Sequence, residues 1–341
     1  MTRAGHSSME YNNPNETLPS MNPATQRKIA FRTFFPLFMF PKQPQNTTKT
    51  PFCQDVYLIK NMQNENNVKK SEHPSLLAKE IIPIAQQAGE ILRHFFKKDF
   101  SLELKNNDTF DPVTSADKQS DALMRKLLHE KFPDDLILSE ENENIPTDYT
   151  KRIWMVDPLD GTKDFIKGKD GFAIHIGLFS NNEILFGLVY APIQNKLFWA
   201  EKGKGAYMQQ EDDFQKIQVS PITSLLESRV ITRSPGSDAR ALDEVVLQLK
   251  CREYIHDSAL KVPKIACGQA EAHINTNFRA SKWDTLAPQI ILEEAGGIMT
   301  DLDGNLLDYT QKELRWERSY IATSNKEIHN EVLQAIKKHL P

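Results

Sequence analysis

The segment Ile153-Trp154-Met155-Val156-Asp157-Pro158-Leu159-Asp160-Gly161-Thr162-Lys163-Asp164-Phe165 constrains this chain more than any other. Its apolar run reads as a buried strand that ends at Asp157 and is turned by Pro158 and Gly161. Asp157 and Asp160 flank a proline that has no N–H. Both carboxylates and the intervening Leu159 carbonyl can therefore converge on one point, as oxygen ligands do around a hard cation such as Mg²⁺. Gly161 and Thr162 then offer backbone N–H groups and a hydroxyl where a phosphate oxygen can sit. The same residues also suit an ordinary strand-to-helix connection, with Asp157 and Asp160 as turn and capping residues. The rest of the chain has to decide between the two.

Partners are bounded by charge. A net charge of -4 over 341 residues, without a long Lys/Arg cluster, leaves no footprint for a nucleic acid polymer or an anionic membrane and favours a small-molecule partner. No apolar run is long enough for stable membrane insertion. Phe31 to Phe40, behind Arg27 and Lys28, has a faint signal-peptide look but is short and broken by Pro36. Cys53, Cys251 and Cys267 lack zinc-like or redox spacing and read as reduced thiols in a cytoplasmic setting.

Residues 1–72, rich in Asn, Gln, Thr, Pro and Lys, are expected to be a disordered or mis-annotated tail, with Met62 as an alternative start. Folding is expected to begin with a helix over Leu76 to Phe96, in which Pro83 marks either a kink or the first turn. Thr114 and Asp117 have capping-box spacing ahead of a helix to about Lys131. A short strand over Leu136 to Leu138 follows, ending in Ser139-Glu140-Glu141. Beyond the central stretch, Phe172 to Phe179, Ile184 to Tyr190 and Lys196 to Glu201 read as an antiparallel meander with a turn at Asn181-Asn182. From Arg229 strands alternate with helices over Asp238 to Lys250 and Ala259 to Cys267. Then come a helix from Trp283 to Gly296-Gly297, a hairpin turn at Asp303-Gly304, and a last helix capped by Ser324 and Glu327. Two halves are implied, a metal-binding α+β half over 73–205 and an α/β half over 206–341 that completes the active site.

Asp111, Asp117, Glu140, Glu141, Asp157, Asp160 and Asp284 all fall at the ends of expected elements. If even four of them converge, full ionisation requires cations between them, so convergence and divalent metal binding stand or fall together.

Asp111-Pro112-Val113-Thr114-Ser115-Ala116-Asp117, Ser139-Glu140-Glu141, Trp154 to Lys163, and Lys282-Trp283-Asp284-Thr285 followed by Glu294-Ala295-Gly296-Gly297 stand in the order seen in the inositol monophosphatase superfamily, which the chain resembles from about Leu76 onward. Within it, Asp157 to Lys163 and Trp283 to Pro288 look most like the 3'(2'),5'-bisphosphate nucleotidases. The resemblance implies a layered sandwich of alternating helix and sheet, of α+β or α/β class. It also implies a cytoplasmic, lithium-sensitive, Mg²⁺-dependent phosphatase of sulfur metabolism, with two or three Mg²⁺ ions, acting as a monomer or homodimer. By position Glu140, Asp157 and the Leu159 carbonyl would hold one Mg²⁺, and Asp157, Asp160 and Asp284 the second. Thr162 and Asp117 would orient and deprotonate the attacking water. The substrate would meet Glu140, Leu159, Asp160, Gly161, Thr162, Ser258, Lys261 and Asp284, with Ser258 and Lys261 on a second phosphate. Lys163 and Lys282 are further cations near the ligands in sequence. This chain departs from adenosine-binding members in having Thr232-Arg233-Ser234-Pro235 for Ser-Arg-Ser-His and Asn275 where many have Arg. Asn277 replaces the Glu with which inositol phosphatases grip a ring hydroxyl.

Overall fold

The computed structural model describes residues 74–98, 102–104, 112–142, 145–211, 213–232, 246, 249–256, 259–275, 280–316 and 319–339. The tail expected over 1–72, Asp111, Arg233-Ser234-Pro235, most of the helix expected over Asp238 to Lys250, Ser258 and Asn277 lie outside the described residues.

Helix α1, Leu76–Phe95, starts at Ser75, whose hydroxyl accepts the Ala78 N–H at 3.1 Å. Ala78, Ile81, Ile84, Ala85, Ala88 and Leu92 form its buried side at the expected helical spacing. Pro83 is not in the first turn but inside the helix on its exposed side. The antiparallel pair β1, Leu102–Leu104, and β2, Pro112–Thr114, leads into α2, Ser115–Lys131, through the capping box of Thr114 and Asp117.

One seven-stranded sheet follows in chain order: β3 Leu136–Ser139, β4 Ile153–Asp160, β5 Ala173–Ser180, β6 Glu183–Ala191, β7 Lys196–Glu201, β8 Gly205–Gln210 and β9 Asp213–Ile217. Only the β3–β4 pair is parallel. The meander is thus longer than its three expected strands, and the boundary expected between residues 205 and 206 falls within β8, at its first residue, Gly205. Asn181 and Asn182, at φ of 51° and 61°, make the two-residue β5–β6 turn. The second sheet contains β10 Arg229–Thr232, β11 Glu253–His256, β12 Ala272–Ile274, β13 Ile298–Asp301 and β14 Tyr320–Thr323, in the order β11-β10-β12-β14-β13. Around it run α4, Lys261–Ala266, α5, Lys282–Glu294, and α6, Lys326–His339. The Asp303-Gly304 turn exists, with Gly304 at φ of 90°, but it closes no hairpin, because β13 pairs with β14. The last helix is capped by Asn325, whose Oδ1 accepts the Ile328 N–H at 3.0 Å, rather than by Ser324.

Strand alternation assigns the layers. Trp154 and Val156 pack with α1 and α2, whereas Ile153 and Met155 pack with α5. In the second sheet Ile231 and Ala322 face α5, and Val230 and Ile321 face α6. The result is helix, sheet, helix, sheet, helix, as the resemblance implied.

Two glycines let α5 lie directly on the seven-stranded sheet. Gly177 and Gly187 oppose each other in the β5–β6 register. A Cβ at Gly177 would stand 2.1 Å from Leu286 Cδ2, and one at Gly187 would stand 2.6 Å from the Ala287 carbonyl oxygen. Backbone cannot yield as a side chain can, so Gly187→Ala is expected to cost about 1–3 kcal/mol by overpacking. An unchanged urea midpoint for this variant would show that α5 is free to back away.

His329 of α6 is enclosed between two hydroxyls, with Thr300 Oγ1 at 3.1 Å and Thr323 Oγ1 at 2.9 Å. Burial pushes its imidazole down to about 4. The folded state therefore resists a proton that the unfolded chain takes up near pH 6.5. The stabilisation is complete above that pH and is lost as pH falls from about 6.5 toward 4. Denaturant titrations at pH 7.5 and 4.5 should show wild type losing up to about 2.5 kcal/mol more than His329→Gln, and parallel losses would contradict this.

Candidate active site

In a regular strand Asp157 and Asp160 would face opposite sides, because side chains alternate. β4 avoids this with a bulge. Asp157 pairs with His175 and Asp160 with Ala173, so three steps along β4 oppose two along β5. The strand accordingly runs on to Asp160 instead of ending at Asp157, and the extra residue returns both carboxylates to one side. Pro158, which has no N–H for the ladder, sits inside the bulge, and its carbonyl accepts from Ser120 Oγ at 3.2 Å. Asp157 is 1% exposed, and its Oδ1 takes the Leu159 N–H at 2.8 Å. Gly161 then turns the chain at φ of 90° into the short helix α3, Thr162–Ile166.

The third carboxylate arrives from α5, which packs on the face of the sheet that Ile153 and Met155 share with Asp157. Asp284 stands in the first turn of α5, where its Oδ2 accepts the Ser281 N–H at 2.7 Å. That turn is fixed by Thr285, whose hydroxyl accepts from Tyr309 Oη and Trp316 Nε1, both at 3.1 Å. One oxygen from each of Asp157, Asp160 and Asp284 lies within 4.8 Å of the others. Burial, followed by the charges of Glu140, Asp284 and Asp160, raises the Asp157 carboxyl well above the usual range. Burial, followed by Asp160 and Glu140, does the same for Asp284. Glu140 sits just past β3, its N–H on the Val156 carbonyl at 3.1 Å, so its charge bears on the cluster. Crowded carboxylates of this kind fit a hard divalent cation, which would remove the repulsion that now favours protonation.

Beside the cluster, Thr162 Oγ1 lies 3.3 Å from Asp117 Oδ1 and 3.1 Å from the Leu159 carbonyl oxygen. Its single hydroxyl hydrogen can go to either acceptor. Asp117 is 2% exposed, and its Oδ2 takes the Thr114 N–H at 2.9 Å. Burial raises its carboxyl to about 6, against the hydrogen bonds from Thr114 and with help from Glu140. Asp117 therefore both caps α2 and reaches Thr162.

Lys261 begins α4, half-buried, near enough to His175 for its charge to act on that imidazole. Lys282 is not available to a substrate. It is fully buried, its Nζ bonds the Gln311 carbonyl and lies 3.3 Å from Tyr149 Oη, and burial pushes the amine down to about 8. His175 was not expected from sequence. It is the ionisable residue within the wholly buried β5, and its Nε2 stands 3.7 Å from Asp160 Oδ2. A lone histidine within Ala-Ile-His-Ile-Gly-Leu-Phe was the available signal.

The profile of the inositol monophosphatase family matches residues 74–340. The chain is 29% identical over 269 residues to inositol monophosphatase 1 of Sus scrofa, covering 75% of this chain and 92% of that one. It is 32% identical over 243 residues to the 3'(2'),5'-bisphosphate nucleotidase CysQ of Aggregatibacter actinomycetemcomitans, covering 70% and 88%. A solved Thermotoga maritima IMPase superposes with a TM-score of 0.66 at 26% identity, covering 77% of this chain and 97% of that one. A converging acid cluster, a layered fold and a match over nearly every described residue agree: the chain belongs to the inositol monophosphatase family of phosphatases.

Proposed function

We propose that this protein is a Mg²⁺-dependent phosphatase that hydrolyses the 3'-phosphate of adenosine 3',5'-bisphosphate to AMP and phosphate. The observation that carries the reading is the meeting of Asp157, Asp160 and Asp284 within 4.8 Å beside the Thr162–Asp117 contact at 3.3 Å. Mg²⁺ held by Glu140, Asp157, the Leu159 carbonyl, Asp160 and Asp284 would acidify water and neutralise the phosphoryl oxygens. Thr162 orients the attacking water and passes its proton to Asp117. An Asp117 carboxyl raised to about 6 is a stronger base than an ordinary aspartate and still ionised near neutrality. Gly161 and Thr162 present backbone at the start of α3 for the scissile phosphate, and Lys261, with Ser258, takes the second one.

The other reading keeps the reaction and changes the substrate to an inositol or sugar phosphate. It is supported by the similarity to inositol monophosphatase 1, 29% against 32% for CysQ. A non-enzymatic, metal-stabilised binding protein would not require the Thr162–Asp117 pair. Purified protein with a substrate panel tests all three. Phosphate release that requires Mg²⁺ and stops with EDTA excludes the binder. A higher kcat/KM for adenosine 3',5'-bisphosphate than for inositol 1-phosphate supports the first reading, and the reverse order overturns it.

A further inference from the structure

His175 is buried to 1% exposure in the middle of β5, and neither ring nitrogen makes a hydrogen bond of good geometry, the backbone of Trp283 and Asp284 being close but poorly aligned. Leaving a buried polar group unpaired costs stability, so such a residue needs a reason to be there. Its surroundings supply one. The β4 bulge sets His175 opposite Asp157 in register, and its Nε2 is 3.7 Å from Asp160 Oδ2, just beyond hydrogen-bond length. The ring is flanked by Asp160, by Lys261, and by the backbone of Trp283 and Asp284 at the first turn of α5. It thus touches the surroundings of all three clustered carboxylates.

We infer that His175 is a positioning residue for the acid cluster, its Nε2–H donating to Asp160 Oδ2 when that carboxylate turns its other oxygen to a divalent cation. A shift of under an ångström closes the 3.7 Å gap. The donation fixes the carboxylate rotamer and draws charge from Asp160, which lowers the repulsion within the cluster. This rests on the metal-binding part of the proposed function and not on the identity of the substrate.

The test measures Mg²⁺ binding calorimetrically, apart from turnover, on wild type, His175→Leu and His175→Gln. Leu fills the site without a donor, and Gln carries an N–H at the reach of Nε2. Loss of an outer partner of this kind weakens metal affinity roughly 10- to 100-fold. We expect that loss for His175→Leu, with unfolding in EDTA unchanged or shifted upward, and substantial recovery for His175→Gln. In ¹⁵N-labelled wild type, Mg²⁺ should slow exchange of the His175 Nε2 proton, a readout that survives if a variant fails to fold. Wild-type affinity in a folded His175→Leu, a Gln variant as weak as Leu, or an imidazole signal indifferent to Mg²⁺ would each overturn the role. Wild type that binds Mg²⁺ with these signatures but releases no phosphate would sink the phosphatase reading and leave the positioning role intact.

Discussion

Asp160→Asn is expected to fold, to lose roughly 10²- to 10³-fold of Mg²⁺-dependent phosphate release, and to melt higher than wild type in EDTA. The two effects have one origin. Asp160 contributes to raising both the Asp157 and the Asp284 carboxyls, so in the metal-free protein its charge is a cost to two neighbours. Its side chain is 28% exposed, and an amide of nearly the same shape creates no cavity. Removing the charge therefore relieves the metal-free fold while weakening the cation's hold. The stabilisation by Mg²⁺, which for a single site grows to about 2.7 kcal/mol at a hundred times Kd, should shrink in the variant. Thermal unfolding with and without Mg²⁺, beside a phosphate-release assay, reads both. Wild-type turnover at saturating Mg²⁺ would sink the role of Asp160 as a ligand, and a lower melting point in EDTA would sink the repulsion argument.

This coupling explains which parts of the site could be read from sequence. Asp157, Asp160, Thr162 and Asp284 were legible because turn and cap chemistry placed them at element ends, where converging acids need a cation. The means of convergence was not legible, since strand alternation alone would have separated Asp157 from Asp160. Only the pairing with β5 reveals the bulge that reunites them. His175 was hidden for the same reason, as its meaning depends on the residue across the ladder. Lys282 misled because adjacency to Asp284 in sequence says nothing about the side a helical residue faces, and here it anchors the Gln311 loop. In the fold, long periodic elements such as α1 and α2 were plain. β8 and β9 were missed because Gly203 and Gly205 at positive φ, with the polar residues of Gln209-Gln210 and Asp213, resemble loop punctuation. β13 was overlooked because its partner, β14, lies well beyond the turn that follows it.

Lys261→Ala is expected to reduce kcat/KM for adenosine 3',5'-bisphosphate by roughly 10- to 150-fold while leaving inositol 1-phosphate nearly unchanged. The acid cluster can accept any phosphate ester, so discrimination between substrates falls to groups that hold the rest of the molecule. On the proposed reading a second phosphate requires a cation, and with Lys282 committed to Gln311 and Tyr149 that role is assigned to Lys261. Lys261 is half-buried at the start of α4, close enough to His175 for its charge to be felt there, which puts it within reach of a ligand spanning the site. Loss of one charge-assisted contact costs about 1.5 to 3 kcal/mol, which is the stated range of rate. A monophosphate never makes that contact and has nothing to lose. Lys261→Arg, which keeps the charge, should retain much of the bisphosphate activity and separates charge from packing. If Lys261→Ala loses both substrates equally, the lysine acts through the acid cluster and not through a second phosphate, and the inositol or sugar phosphate reading takes precedence.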